Sequence, residues 1–230
     1  MNAGSSSQAH RTAMLTDAQL APTARQILDV AEREFSLHGV EKVSLRELGS
    51  ASGQRNVSAV SYHFGSREGL LGALLSRRFA QINQLRLQRL RLLTRLDKAG
   101  DPHTVIGEAF RVLADAVRHE AWGADFVRVL AQVFFDPELD FHALVPDELT
   151  EGYRMSIALV QPALQHLPPA TLEDRMSRAY HHGTYALAAW LHTHVSVTPS
   201  NEAGYDTYVD DTVDFIVGGV VAPISRAAAR

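Results

Sequence analysis

Apolar positions recur at helical spacing through almost the whole chain, and the alternation expected of strands is hard to find. Ala24, Ile27, Leu28, Ala31 and Phe35 fall on one face, which predicts a helix opened by Pro22-Thr23 and stopped by a left-handed Gly39. Ser44-Leu45-Arg46-Glu47 has the form of a capping box, in which a serine and the glutamate three residues on satisfy each other's amides. It predicts a short second helix with Leu45, Leu48 and Ala51 inward, ending near Gly53. A third short helix is expected over 57–64 with Val57, Val60 and Phe64 inward. Ser66 then caps a long fourth helix, with Glu68 in its first turn, where a carboxylate suits the helix dipole.

That helix carries Leu75, Phe79, Ile82, Leu85, Leu92 and Leu96, and its arginines between 86 and 95 read as a charged solvent face. Further helices are predicted near 102–119, 121–136, 146–166, 170–195 and 205–226, separated by Gly- and Pro-containing breaks. The fold class is therefore all-α: an amino-terminal three-helix domain joined by a long fourth helix to a larger helical domain. The expected organisation is a disordered arm over 1–21, a head over 22–75 and a body over 76–230.

Composition narrows the function. The 230 residues include no cysteine, which excludes disulfides and thiolate chemistry. The first 21 residues lack the apolar stretch of a signal peptide, and the apolar run Val213–Ile224 contains Asp214 and is too short to cross a bilayer. A cytoplasmic protein without a membrane partner is expected. Net charge is −4, yet the segment Pro22–Lys98 holds thirteen basic and seven acidic residues, and the remainder is strongly acidic. A basic head on an acidic body is the charge footprint of a polyanion-binding protein.

Residues 56–71 read NVSAVSYHFGSREGLL. A helix built only to fill a core would use larger aliphatic residues than Ser58, Ala59 and Ser61. Two short helices joined by a tight glycine-containing turn suggest a helix-turn-helix, whose second helix enters the major groove. The outward face of 56–63 would then offer Asn56, Ser58, Ala59, Ser61, Tyr62 and His63, short side chains that allow close approach and polar groups able to reach base edges or phosphates.

From Thr23 to Leu75 the chain resembles the TetR family of bacterial transcriptional regulators. The resemblance is carried by ILDVAEREFSLHGVEKVSLRELGSASG, by YHFGSREGLL and by the long helix that follows. The wording AVSYHFGS is similar to the subgroup that writes AVNYHFGSK in place of TLYHYFGSK. The resemblance implies DNA contacts at Tyr62 and His63, a phosphate contact at Arg67, a second-helix contact at Arg46 and a phosphate-touching cap at Ser44. Two departures stand out: the turn GQRNVS is one residue longer than usual, and Ser61 replaces a habitual aromatic. The resemblance further implies a double-stranded operator, a homodimer built by the last two long helices, and an effector that releases the protein from DNA.

In the body, Trp122, Phe126, Phe134, Tyr153, His181 and Tyr185 are candidate pocket residues for an apolar or aromatic effector. Gly218-Gly219 interrupts the last helix at a cost of about 1 kcal/mol per residue against alanine, which implies a packing reason. Eleven histidines invite a metal reading, but there is no HExxH, no thiol, and His181/His182 and His192/His194 do not share helical faces. No P-loop, GxGxxG or GxSxG occurs, so neither cofactor nor enzyme is expected. The other reading is a helical small-molecule-binding or catalytic protein that has lost specific DNA binding.

Overall fold

A computed structural model describes residues 20–53 and 59–225, and all regular structure among them is helical. The helices are α1 (Pro22–His38), α2 (Leu45–Ala51), α3 (Ala59–Phe64), α4 (Arg67–Arg95), α5 (Pro102–His119), α6 (Gly123–Phe135), α7 (Phe141–Leu144), α8 (Glu151–Val160), α9 (Pro169–His194) and α10 (Glu202–Val221). Two compact units result: the described residues up to Gln81 together with Asp125–Leu149, and Ile82–Ala124 together with the chain from Thr150.

In the first unit, α1, α2 and α3 close over Ile27, Phe35, Leu48, Val60 and Phe64, each wholly buried. The capping box forms as the spacing requires: Ser44 Oγ accepts from the Glu47 amide at 3.2 Å, and the Ser44 amide donates to Glu47 Oε2 at 2.8 Å. The inward side of α2 differs from expectation. Ala51 is exposed and Leu45 only half-buried, while Gly49 and Ser52 turn inward. Ser52 can be buried because its hydroxyl donates to the Gly49 carbonyl at 3.0 Å. Gly39 does end α1, but at φ 94°, ψ 144°, extended rather than left-handed helical, a region open to glycine. Val57, expected inward on α3, lies outside the described residues, as do most of 1–21.

The portion of α4 in this unit carries two buried arginines. Arg78 Nε donates to both Glu32 oxygens at 2.9 and 3.1 Å, and Arg77 Nη1 donates to Asp29 Oδ1 at 2.6 Å. The segment Asp125–Leu149 closes the unit from the other side. Phe79 packs edge-on against Phe126 and Phe141, and Phe134 meets Phe141 at 5.2 Å between ring centres.

In the second unit, α5 and α10 run antiparallel. Their register is visible in a descending ladder of side-chain contacts: His103 hydrogen-bonded to Asp214 at 2.7 Å, then the ion pairs of Arg111 with Asp210 at 2.5 Å and of Arg118 with Asp206 and Glu202. Beneath it, Tyr205 donates its hydroxyl to the Ala114 carbonyl at 2.8 Å. The predicted helix 146–166 is shorter in fact, Glu151–Val160, and is flanked by 3-10 turns at Asp147–Thr150 and Gln161–Leu164, the latter holding Pro162.

Candidate DNA-binding face and ligand cavity

Helix α3 is held by Val60 and Phe64 and turns its other residues outward. Ser61 is exposed and Tyr62 is 69% exposed, its ring meeting His63 edge-on at 5.2 Å. A large aromatic left this open on a six-residue helix contributes nothing to the core. Partial burial pushes the His63 pKa below its ordinary value, so the ring is neutral near pH 7. Arg46 is exposed on α2 and forms no ion pair among the described residues, and the neighbouring Glu47 is committed to the cap. Hydrogen bonds from Ser44 hold the Glu47 carboxyl below the usual range.

Arg67 departs from the simple phosphate-contact expectation. Its Nη1 donates to the carbonyls of Val40 and Glu41, both at 2.6 Å, and so ties the loop after α1 to the start of α4. Nε and Nη2 bond no described residue, so one edge of the guanidinium is still available to a phosphate. Asn56 and Ser58 lie outside the described residues.

One contributor to this unit was not singled out from the sequence. Gln132, on α6, accepts from the Val40 amide at 2.9 Å and donates to the Phe35 carbonyl at 3.1 Å, capping the end of α1 with a side chain from ninety residues on. Ser36 likewise donates to Asp125 at 2.7 Å. A lone glutamine inside the apolar run FVRVLAQVFF was the available signal.

The six candidate pocket residues are divided between the two units. Phe126 and Phe134 belong to the aromatic cluster of the first unit, while Trp122, Tyr153, His181 and Tyr185 belong to the second. Tyr185 is 53% exposed. Of the six, Tyr153 alone lines a small cavity of about 20 Å³, which Arg86, Phe110, Ser156, Met176 and Tyr180 also border. Burial is the main cause that pushes the Tyr153 hydroxyl up to about 12, so it stays a hydrogen-bond donor at neutral pH. Arg86 overturns the reading of 86–95 as a solvent face, since it is only 1% exposed. The period of the arginines alone could not separate it from Arg91 and Arg95, which are exposed.

The family model for bacterial regulatory proteins of the tetR family matches residues 27–74, and that for the tetracyclin repressor-like C-terminal domain matches residues 109–219. The chain belongs to the TetR family. It is a ligand-responsive transcriptional regulator rather than an enzyme, and in TetR terms α2 and α3 are the helix-turn-helix. Among solved structures, the fatty acid degradation regulator FadR from Bacillus halodurans is similar at 12% identity and a TM-score of 0.60, covering 87% of this chain and 97% of its own. That likeness concerns the fold. A putative TetR-family transcriptional regulator from Mesorhizobium loti is similar at 14% identity and a TM-score of 0.46, covering 85% of this chain and 95% of its own. No curated protein matches the sequence. Among the described residues, no helix is long and apolar enough to cross a membrane.

Proposed function

We propose that this TetR-family protein is a cytoplasmic homodimeric repressor, released from a palindromic operator by a small molecule. The observation that carries the reading is the outward face of α3, where Ser61 and Tyr62 stand exposed on a helix anchored by fully buried Val60 and Phe64. Residues 22–75 would supply the DNA contacts and 76–230 the effector site and the dimer interface. Two heads related by two-fold symmetry would enter major grooves about 34–36 Å apart. Ser44, Arg46, His63 and Arg67 would set position on the phosphates. Tyr62, Ser61, Asn56 and Ser58 would supply sequence choice.

The interface is assigned to α9 and α10. Phe215 is 65% exposed and stacks on the exposed His182 at 5.0 Å, and around Gly218 and Gly219 a side chain would meet nothing within 4 Å. On this reading a partner subunit supplies the packing reason for those glycines. Both α4 and α6 have residues in each unit, so they are the elements through which a ligand shifts head spacing. The ligand can do so only by its different affinity for the two states.

The test is binding to DNA flanking the protein's own gene across a salt series. Tight binding at one site, weakened at least tenfold by Tyr62→Ala and by Arg46→Ala and falling steeply with salt, supports the repressor. Affinity equal to that for random DNA, there and in a genome-wide selection, sinks it and leaves a ligand-binding protein without an operator. Phe215→Asp is expected to yield monomers in sedimentation; an unchanged dimer would move the interface elsewhere.

A further inference from the structure

The repressor reading leaves one side chain unused. Arg86 is buried to 1% exposure, deeper than either of the other buried arginines of α4, Arg77 and Arg78, yet those two have carboxylate partners in Asp29 and Glu32. No carboxylate of the described residues pairs with Arg86. Its Nε donates to the Ala109 carbonyl at 3.0 Å, its Nη2 donates to the Tyr180 hydroxyl at 2.8 Å, and its guanidinium lies 5.0 Å from the centre of the Tyr180 ring. Nη1 bonds no described residue.

This geometry is built, not incidental. Gly152 roofs the arginine stem: a Cβ there would come within 3.2 Å of both Cβ and Cδ of Arg86. The Gly152 amide donates to Asn83 Oδ1 at 2.6 Å, which keeps α8 at that close approach. Arg86 lines the same cavity as Tyr153 and Ser156, and the Tyr153 hydroxyl also bonds no described residue. The Ser156 hydroxyl is spent on the Tyr153 carbonyl at 2.6 Å. Two residues that each keep a donor unbonded to any described residue, one of them cationic, thus border one space of about 20 Å³, room for a single water-sized oxygen. The remaining walls are Ile106, Ala109, Phe110, Met176, Ala179 and Ile216.

A buried cation without a counter-charge is expensive, and the expense falls when a ligand brings the charge. We propose that Arg86 is the anion anchor of the effector site, and that the effector is a monocarboxylate with an apolar body. One carboxylate oxygen takes the space between Arg86 Nη1 and the Tyr153 hydroxyl, and the body parts the apolar wall at the flexible Met176. The proposal rests on the effector-binding reading of the second unit. It adds the ligand's charge, its size class and the residue that selects for it.

The experiment uses the full chain and a series of matched probes: straight-chain carboxylates from butanoate to dodecanoate and 4-phenylbutanoate, each beside its primary alcohol and its alkyl phosphate. Binding is read by thermal shift and by titration calorimetry, for the wild type and for Arg86→Met, Arg86→Lys and Tyr153→Phe. At least one carboxylate is expected to bind tenfold or more tightly than its alcohol. Arg86→Met should erase that difference, Arg86→Lys should keep part of it, and Tyr153→Phe should weaken it several-fold. Circular dichroism of the unliganded variants confirms that they are folded, and Tyr153→Phe keeps the test decisive should Arg86→Met misfold. Alcohols binding as well as carboxylates, no probe binding, or an unaltered preference in Tyr153→Phe and Arg86→Met would each overturn the proposal. A phosphate preferred tenfold over its carboxylate would replace the ligand class. Operator affinity without ligand is measured on the same preparations. Carboxylate binding without operator binding condemns the repressor reading alone, and the reverse condemns this site alone.

Discussion

Removing the Glu32 carboxylate should strand the Arg78 guanidinium inside the first unit. Glu32 is 3% exposed and Arg78 4%, and their contact is bidentate through Nε, with Nη2 adding a third bond to Glu32 Oε2. Breaking such a buried pair by deleting one partner costs about 3–5 kcal/mol, because the survivor is a desolvated charge. Arg78 keeps a bond to Gln81 at 3.3 Å and a 3.9 Å approach to the half-exposed Asp29, so the low end, about 3 kcal/mol, is expected for Glu32→Ala. Replacing both partners by apolar groups, Glu32→Leu with Arg78→Met, should return stability to within about 1 kcal/mol of the wild type. Both tryptophans, Trp122 and Trp190, lie in the second unit, so their fluorescence would miss the event. Urea unfolding followed by far-UV circular dichroism, with hydrogen exchange on α1 and α4, reads it directly. Operator affinity should fall together with the stability of α1, against which α3 is supported. A Glu32→Ala cost below about 1 kcal/mol, or a double variant worse than the single one, would refute the argument that desolvation rather than pairing dominates here.

The helix caps carry the pH dependence. Hydrogen bonds from Ser44, Ser66 and Thr104 hold the carboxyls of Glu47, Glu68 and Asp101 below their ordinary values. A depressed folded pKa means that the stabilisation is present above the ordinary carboxylate pKa and is lost as pH falls through the folded value. Protection of the amides at the starts of α2, α4 and α5, taken relative to intrinsic exchange, should therefore fall as pH drops below the ordinary carboxylate values, ahead of global unfolding. Protection that stays constant as the pH is lowered would mean that the caps do not limit fraying. Gly183→Ala would press a Cβ against the edge of the Phe110 ring, 2.8 Å from its Cδ2, and should cost about 1–3 kcal/mol by overpacking, read in thermal unfolding of the second unit. An unchanged midpoint would show that Phe110, a wall of the cavity, can swing aside without loss.

How much of this was legible beforehand depended on whether a feature was local. Helical periodicity, the Ser44–Glu47 box and the inward Val60 and Phe64 were legible because neighbours along the chain decide them. The orientation of Ala51 and Ser52 was not, since a seven-residue helix ends within one turn and a serine can satisfy itself on the Gly49 carbonyl. Gln132 and Arg86 failed for a different reason. Each acquires its role from a partner far away in sequence, the end of α1 for Gln132 and the Gly152 roof for Arg86, and no local pattern carries that information. Aromaticity alone could not separate the cluster around Phe79 in the first unit from the residues that border the small cavity of the second.

The contribution of Gln132 bears on the construction of hybrid regulators. A crossover placed after α4, grafting the amino-terminal helices onto a foreign body, would leave behind the glutamine that ties off α1, the Asp125 that accepts from Ser36, and the rings of Phe126 and Phe141 that seal Phe79. The graft would keep α2 and α3 and lose the contacts that close the unit around them. A transplant of DNA specificity from this protein has to move two pieces of chain, the helices up to Gln81 and the stretch Asp125–Leu149, or else choose an acceptor whose own sixth helix offers an amide side chain at the same height.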